Sequence, residues 1–243
     1  GSHRIVPVNS CMIEDTVADK IIVDIRRLMQ DFKFTAYDED SGRGFIRHVL
    51  VKRGFSTNQI MVVLVSGTPV FPAKNQFVKA LLKEHPEITT IIHNVNPYHT
   101  NLVLGKQEKV LFGPGYIEDT LLSCTFRISA KSFYQINPKQ TEVLYETALS
   151  YAGLTGRETL FDAYCGTGTI GLLAATRGAA HVIGVELNAD AVRDAWHNAK
   201  RNGIQNATFI TGDATKVITE MAASGEKVDV IMMDPPRAGS TEA

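Results

Sequence analysis

Two short segments of this chain carry residues whose types and spacing could support chemistry. Residues 162–169 read Asp-Ala-Tyr-Cys-Gly-Thr-Gly-Thr, and residues 234–239 read Asp-Pro-Pro-Arg-Ala-Gly. Gly166 and Gly168 permit a sharp turn and a close approach between backbone and ligand. The two prolines of the second segment hold the backbone rigid and remove two hydrogen-bond donors. A glycine turn that follows a strand is typical of a nucleotide-binding α/β domain.

Two acidic residues stand at the ends of the next two predicted strands. Glu186 follows the turn by about 20 residues, where an acid accepts hydrogen bonds from ribose hydroxyls. Asp213 ends the following strand, and an acid there can accept from an adenine amino group. The turn lacks the three spaced glycines that cradle a pyrophosphate, which makes NAD less favoured. We therefore expect S-adenosylmethionine, although either acid alone could be an ordinary polar residue of a loop.

The elements that must position these residues follow from hydrophobic periodicity. Strands are predicted at Thr159–Ala163, His181–Glu186, Ala207–Thr211 and 228–233, with helices over 169–177, 189–202 and 214–223. Strands that alternate with helices in this way indicate a parallel sheet. The preceding part predicts helices over 14–32 and 77–85 and a hairpin over 45–53 and 60–65. We expect an α/β fold with two domains, residues 1–131 and 132–243.

Composition sets limits on the class of protein. The chain has 243 residues, 44% of them hydrophobic and 21% charged, and a net charge of −1. This is typical of a globular protein, and it leaves nucleic acid to be held by a local basic patch. Cys11, Cys124 and Cys165 form no Cys-x-x-Cys pair, so neither a zinc site nor a disulfide framework is indicated and a cytoplasmic location is expected. No apolar run approaches the roughly 20 residues of a membrane span, so no membrane partner is expected.

Several segments resemble the RNA uracil-5 (m5U) methyltransferase family, most closely its bacterial 23S rRNA branch. They are residues 132–137 (Ser-Phe-Tyr-Gln-Ile-Asn), 162–168, 184–186 (Gly-Val-Glu) and 234–239, and residues 43–52 resemble the hairpin of the family's central domain. The resemblance covers nearly the whole chain. It implies a truncated, Rossmann-like S-adenosylmethionine-dependent methyltransferase domain and a smaller α/β (α+β) central domain.

The resemblance also implies roles for individual residues. The family's S-adenosylmethionine positions fall on Gln135, Tyr164, Glu186 and Asp234, more weakly on Thr169 and Asp213, and the turn itself is formed by Gly166 and Gly168. In the family, a cysteine thiolate adds to C6 of uracil, C5 takes the methyl group, and a base removes the C5 proton. Both of those residues would lie beyond Ala243. An inactive internal fragment with no catalytic residue of its own is therefore expected. Cys11 matches at most one ligand of the family's iron–sulfur cluster, so no cluster is expected here.

RNA is the expected partner. Arg43, Arg47 and Lys52 on the predicted hairpin, together with Arg237, are expected to contact it, unless the hairpin is simply a solvated, charged edge. The apolar strand over 228–233 would lack a neighbour on one side, which predicts self-association. The leading hypothesis is methylation of uracil C5 in 23S rRNA. The alternatives are a tRNA substrate, a methyltransferase acting on nitrogen or on a small molecule, and a non-catalytic module that binds RNA or S-adenosylmethionine.

Overall fold

The computed structural model describes residues 6–235 and residue 239. These residues divide into two compact units. The first unit comprises the described residues up to 54 together with residues 58–117. The second unit comprises residues 55–57 and the described residues from 118 onwards.

The first unit is a four-stranded mixed sheet with two helices. Its elements are α1 (Thr16–Asp31), β1 (Ile46–Arg53), β2 (Ile60–Ser66), α2 (Lys74–Glu84), β3 (Ile88–Val95) and β4 (Gln107–Phe112). The strand order is β1-β2-β3-β4. The β1–β2 pair is the predicted antiparallel hairpin, β2 and β3 are parallel, and β3 and β4 are antiparallel. β4 is therefore an edge strand of this sheet.

The helix α1 forms because its sequence suits both its start and its buried face. Asp15 caps the helix by accepting hydrogen bonds from the backbone N–H groups of Val17 and Ala18. Ile21, Ile25 and Leu28 recur at helical spacing and are buried in the unit's core.

The second unit contains a parallel sheet and a small hairpin. Its elements are β5 (Ile117–Leu121), β6 (Cys124–Ile128), α3 (Pro138–Ala152), β7 (Thr159–Ala163), α4 (Thr169–Thr176), β8 (His181–Glu186), α5 (Ala189–Arg201), β9 (Ala207–Thr211), α6 (Ala214–Ser224) and β10 (Val230–Met233). The four parallel strands have the order β10-β7-β8-β9. The predicted α/β fold, with its Rossmann-like parallel sheet, is confirmed.

This strand order creates a place for a ligand at β7. The chain runs outward from β7 to β8 and β9 and then returns to β10 on the other side of β7. Ala163 at the end of β7 is in register with Val185 of β8 and with Met233 of β10. Ligands of open α/β sheets bind at the carboxyl ends of the strands where the strand order reverses. Tyr164 and Asp234 directly follow β7 and β10, and Glu186 is the last residue of β8.

The division of the chain differs from the expected boundary at residues 131 and 132. The hairpin of β5 and β6 belongs, from residue 118, to the second unit because its strands bind to α5. Asn202 accepts from the backbone N–H of Thr125 (2.8 Å) and donates to its carbonyl (2.8 Å). Asn198 accepts from the N–H of Arg127 (2.7 Å). Two asparagines of α5 thus act as the hydrogen-bonding edge that β6 would otherwise lack.

Candidate functional site

The turn after β7 has the backbone conformation that its glycines predict. Tyr164, Gly166 and Gly168 all have positive φ angles, of 63°, 54° and 80°. The N–H of Gly168 donates to the carbonyl of Cys165 (2.8 Å), and α4 begins immediately afterwards. A left-handed conformation at three of five consecutive residues folds the chain tightly and leaves the turn's backbone close to the strand edge.

Three hydrogen bonds hold this turn in place. The buried side chain of Asn198 on α5 donates to the carbonyl of Thr167 (3.0 Å). The N–H of Cys165 donates to the carbonyl of Val185 on β8 (3.0 Å). Within α4, the N–H of Gly171 donates to the carboxylate of Asp162, the fourth residue of β7 (2.8 Å). The turn is thus rigid before any ligand binds, which reduces the entropy that binding must overcome.

Glu186 is the acid of the site that contacts the turn. One carboxylate oxygen accepts from the N–H of Gly166 (3.2 Å), and the other accepts from the N–H of Asn188 (2.9 Å). A carboxylate offers about four acceptor positions, so about two remain after these bonds. This number suits the two hydroxyls of a ribose.

A cleft beside the turn brings together five of the eight predicted cofactor residues: Gln135, Tyr164, Gly166, Thr169 and Asp234. The other three do not line the cleft. Gly168 is buried within the turn, and Glu186 lies against Gly166. Asp213 caps α6, where one carboxylate oxygen accepts from the N–H groups of Thr215 and Lys216.

The cleft is also lined by residues to which the sequence assigned no individual role. Phe133, Tyr134, Tyr145 and Asp162 line it. Burial raises the pKa of Tyr145, whose hydroxyl interacts with Thr169 and Gln135. Tyr145 thereby orients two of the predicted cofactor residues. Phe133 and Tyr134 lie in the segment that carried the family resemblance, whereas Tyr145 had no local signal because it is one of two tyrosines on α3.

The charges of the cleft favour a cationic ligand. The pKa of Asp162 is raised to about 7. Burial is the main cause, the nearby carboxylates of Asp234 and Glu186 contribute in the same direction, and the hydrogen bond from the Gly171 N–H opposes them. Among the described residues that line the cleft there is no lysine, arginine or histidine. A pyrophosphate would be repelled here, whereas the sulfonium and ammonium groups of S-adenosylmethionine would be attracted. The carboxylates of the cleft therefore fit that cofactor.

The free volume of the cleft is small, about 40 Å³. Pockets that enclose a small molecule usually measure about 300–1,000 Å³. An adenosine-sized ligand therefore requires rim side chains to move. Phe133 is the clearest candidate for such movement, because 72% of its surface is exposed.

Neither cysteine of the second unit is suited to act as a nucleophile. Burial raises the pKa of the Cys165 thiol, and Asp162 and Glu186 raise it further. Burial also raises the pKa of Cys124. Because the thiolate is the reactive form, both thiols are inert. Within residues 6–235 and residue 239, no group of three or more His, Cys, Asp or Glu side chains could hold a metal ion. Cys11 of the first unit is half-buried with a free thiol.

The hairpin of the first unit corrects one expectation about RNA contacts. The side chain of Arg47 is 0% exposed. It donates to the carbonyls of Asn96 and Tyr98 (2.8 and 2.6 Å), pairs with Glu39 (3.1 Å), and lies 4.4 Å from the centre of the Tyr37 ring. Arg47 is thus a buried structural cation that cannot reach RNA.

The other predicted RNA contacts have different positions. Arg43 is exposed and Lys52 is half-buried. Arg237 lies outside the described residues. None of the described helices is long and apolar enough to cross a bilayer.

Comparison with known proteins agrees with this geometry. Residues 154–239 match the family model of a methyltransferase domain. The chain is 46% identical over 242 residues to an uncharacterized RNA methyltransferase of Halalkalibacterium halodurans, which covers 100% of this chain and 53% of that protein. It is 44% identical to one of Clostridium acetobutylicum, which covers 98% of this chain and 52% of that protein. The chain thus spans about half the length of the relatives it matches.

A solved structure shares the fold. It is the tRNA (uracil-54, C5)-methyltransferase of Pyrococcus abyssi in complex with S-adenosyl-L-homocysteine. The TM-score is 0.80, the sequences are 23% identical, and the match covers 98% of this chain and 56% of that one.

Proposed function

We propose that this chain is the cofactor-binding part of an S-adenosylmethionine-dependent RNA methyltransferase that modifies C5 of uracil, with 23S rRNA as the substrate and the cytoplasm as its location. The observation that carries the proposal is the anionic cleft at the strand-order reversal, where Gln135, Tyr164, Thr169 and Asp234 converge beside a preformed glycine turn. The names of its relatives, which are RNA methyltransferases, support RNA as the substrate.

The residues of the cleft have separable roles in this proposal. Bound S-adenosylmethionine supplies an electrophilic methyl group. Glu186 accepts from the ribose hydroxyls while its bonds to the N–H groups of Gly166 and Asn188 keep the carboxylate oriented. Tyr164 and Gln135 form walls of the cleft. Asp234 is exposed at the end of β10 and lies at the mouth of the cleft, where its negative charge attracts a cationic ligand.

Uracil C5 is a weak nucleophile, so its methylation requires covalent activation by a thiolate. The raised pKa values of Cys124 and Cys165 argue against either as that thiolate. We therefore propose that neither of these two cysteines is the nucleophile. The rRNA assignment depends on the family resemblance, while the similar Pyrococcus abyssi structure is named for tRNA. The test must therefore compare the two RNAs.

Binding of S-adenosylhomocysteine, measured by titration calorimetry, tests the cofactor site. Glu186→Gln keeps the size of the side chain but removes its charge and one acceptor, and affinity should fall about tenfold or more. Glu220→Gln is the matched control, because Glu220 is an exposed acid on α6 that lines no part of the cleft. Equal binding by both variants, or no binding by the unmodified chain, would contradict the site.

Methyl transfer tests the reaction and the substrate. RNA that carries tritium at C5 of uracil releases the label only when C5 is substituted, so label release separates C5 from nitrogen methylation. The assay compares 23S rRNA with tRNA, and this chain with a version extended beyond Ala243. Activity of the extended version on 23S rRNA alone is the expected result. Release from tRNA alone would favour the tRNA alternative, and cofactor binding without transfer by either version would favour a non-catalytic module.

A further inference from the structure

A wide groove lies on the first unit, between the helix α2 and the edge strand β4. Its volume is about 490 Å³. Val78 and Leu82 of α2 and Leu111 of β4 contribute its apolar surface, and all three are half-buried. We refer to this feature as the lysine groove, because four lysines line it: Lys74, Lys79 and Lys83 on α2, and Lys109 on β4.

The charge of the lysine groove is of one sign. All four lysines are exposed, and no aspartate or glutamate is among the described residues that line it. In the part of the chain that the structure describes, none of the four forms an ion pair. Glu84 at the end of α2 does not neutralise these lysines, because it pairs with Arg27 of α1. A chain with a net charge of −1 therefore presents a concentrated positive patch here.

The spacing of the lysines suits an extended polyanion. Helical rise places Lys74 and Lys83 about 13.5 Å apart along α2, with Lys79 between them. The three ammonium groups of α2 are therefore spread along the groove rather than gathered at one point. Lys109 stands on the opposite side of the groove, so a strand lying in it would meet ammonium groups from both sides.

Protection of an exposed strand edge explains only part of this arrangement. Lysine on an edge strand such as β4 opposes pairing with another chain, which accounts for Lys109. It does not account for three lysines on the facing helix. The groove also lacks aromatic side chains among its described lining residues, so it offers no platform for stacking bases. The features that remain are those that bind phosphates.

We propose that the lysine groove docks the sugar–phosphate backbone of the RNA substrate without reading its sequence. This inference rests on the proposed function, because it requires that the partner is RNA. It places a surface that binds the RNA backbone on α2 and β4. The basic residues of the sequence had instead suggested such a surface on the β1–β2 hairpin.

The test replaces the three helix lysines together, as Lys74→Gln, Lys79→Gln and Lys83→Gln. Glutamine has a helix propensity close to that of lysine, so α2 should remain folded. The matched control replaces three exposed lysines that do not line the groove, Lys20, Lys200 and Lys227. Both triple variants change the net charge by the same amount, which separates a local contact from a general charge effect. Thermal unfolding checks that both variants retain the fold.

Binding of a fluorescently labelled single-stranded RNA is measured between about 0.05 and 0.2 M salt. Each lost phosphate contact should reduce the slope of log K against log salt by about 0.7, hence by about 2 for three lysines. At 0.1 M salt the groove variant should bind about 100-fold more weakly, and the control variant should bind within a few fold of the unmodified chain. An equal loss in both triple variants, or an unchanged slope in the groove variant, would overturn the proposal.

Two further outcomes are distinguishable. If the unmodified chain binds S-adenosylhomocysteine but no RNA, the RNA substrate of the proposed function fails together with the groove. If the unmodified chain binds RNA and the groove variant binds it equally well, only the groove fails. Poly-glutamate serves as a competitor in the same assay. Loss of poly-glutamate binding in the groove variant, with RNA binding retained, would overturn the RNA assignment in favour of an acidic protein partner.

Discussion

The glycine turn provides the sharpest test of the fold of the site, beginning with Gly168→Ala. A Cβ at this position would lie 3.0 Å from two ring carbons of Phe209 and 3.1 Å from the Cβ of Ala195, and φ is +80°. A left-handed conformation costs an alanine about 1–2 kcal/mol, and forcing a methyl group into a packed core costs about 1–3 kcal/mol. We expect the free energy of unfolding to fall by about 2–5 kcal/mol.

A second glycine separates the two contributions. Gly225 ends α6 with φ of +82°, and a Cβ there would meet no atom within 4 Å. Gly225→Ala therefore carries the conformational cost without the packing cost, about 1–2 kcal/mol. Urea unfolding of both variants at the same pH measures the difference, which should be about 1–3 kcal/mol. If Gly168→Ala destabilised the chain no more than Gly225→Ala, the close packing of the turn against Phe209 would be wrong.

Gly166 tests the ligand side of the same turn. Its φ is +54°, and a Cβ would again meet no atom within 4 Å, but this glycine lines the cleft. Gly166→Ala should cost about as much stability as Gly225→Ala, yet it should weaken S-adenosylhomocysteine binding about tenfold, because the methyl group occupies space at the backbone that the ligand approaches. Unchanged affinity would show that the ligand does not approach this part of the turn.

Five further outcomes are expected. The folded-state pKa of Asp162 is about 7 against an ordinary value of 3.8, so the stability that this group contributes is present at low pH and is lost as the pH rises from about 4 to 7. Between about pH 5 and pH 8, the free energy of unfolding of the unmodified chain should therefore fall by at least about 1 kcal/mol more than that of Asp162→Asn, as measured by urea titrations. Asn198→Ala removes the side-chain partner of the buried Thr167 carbonyl and of the Arg127 N–H; it should cost about 2–4 kcal/mol and also weaken S-adenosylhomocysteine binding in calorimetry. Asn202→Ala should reduce stability alone, because its side chain binds β6 and its own helix and makes no bond to the turn. Arg47→Ala should destabilise the first unit by about 1.5–3 kcal/mol in thermal or urea unfolding without changing the salt dependence of RNA binding, because the change removes the buried guanidinium that binds the carbonyls of Asn96 and Tyr98 and pairs with the partly exposed Glu39. We predict that the chain self-associates through β10, where Ile231 is 54% exposed on an edge strand. Ile231→Lys should then shift the chain towards monomer in light scattering. A monomeric unmodified chain at high concentration would contradict the predicted self-association.

Much of the geometry of the candidate site was predictable because its residues follow or end strands. Tyr164, Glu186 and Asp234 each come directly after a strand or end one, and parallel strands bring their carboxyl ends to one edge of the sheet. Spacing along the sequence therefore predicted proximity in space. The conformation of the turn was also predictable from the sequence, because glycines, as at 166 and 168, tolerate positive φ.

Other features were not predictable because they depend on contacts between distant segments. Arg47 belongs to a basic hairpin, and its charge suggested an exposed residue. Its inward direction depends on carbonyls about 50 residues away, at Asn96 and Tyr98. Likewise, β6 joins the second unit through side chains of α5 that no local pattern links to it. Local sequence indicates the type of an element, whereas partners of this kind are set by the tertiary fold.

The two units carry opposite local charges, and this explains why the composition of the chain was uninformative about its ligands. In the second unit, Asp162, Glu186 and Asp234 surround a site that suits a small cation. In the first unit, the lysine groove suits a polyanion. Over the whole chain, 25 lysines and arginines nearly balance 26 aspartates and glutamates, which leaves a net charge of −1. At physiological ionic strength, however, charges interact over only about 8 Å, so each site acts through its own residues rather than through the sum. Neutral composition is therefore compatible with binding both a cationic cofactor and an RNA backbone.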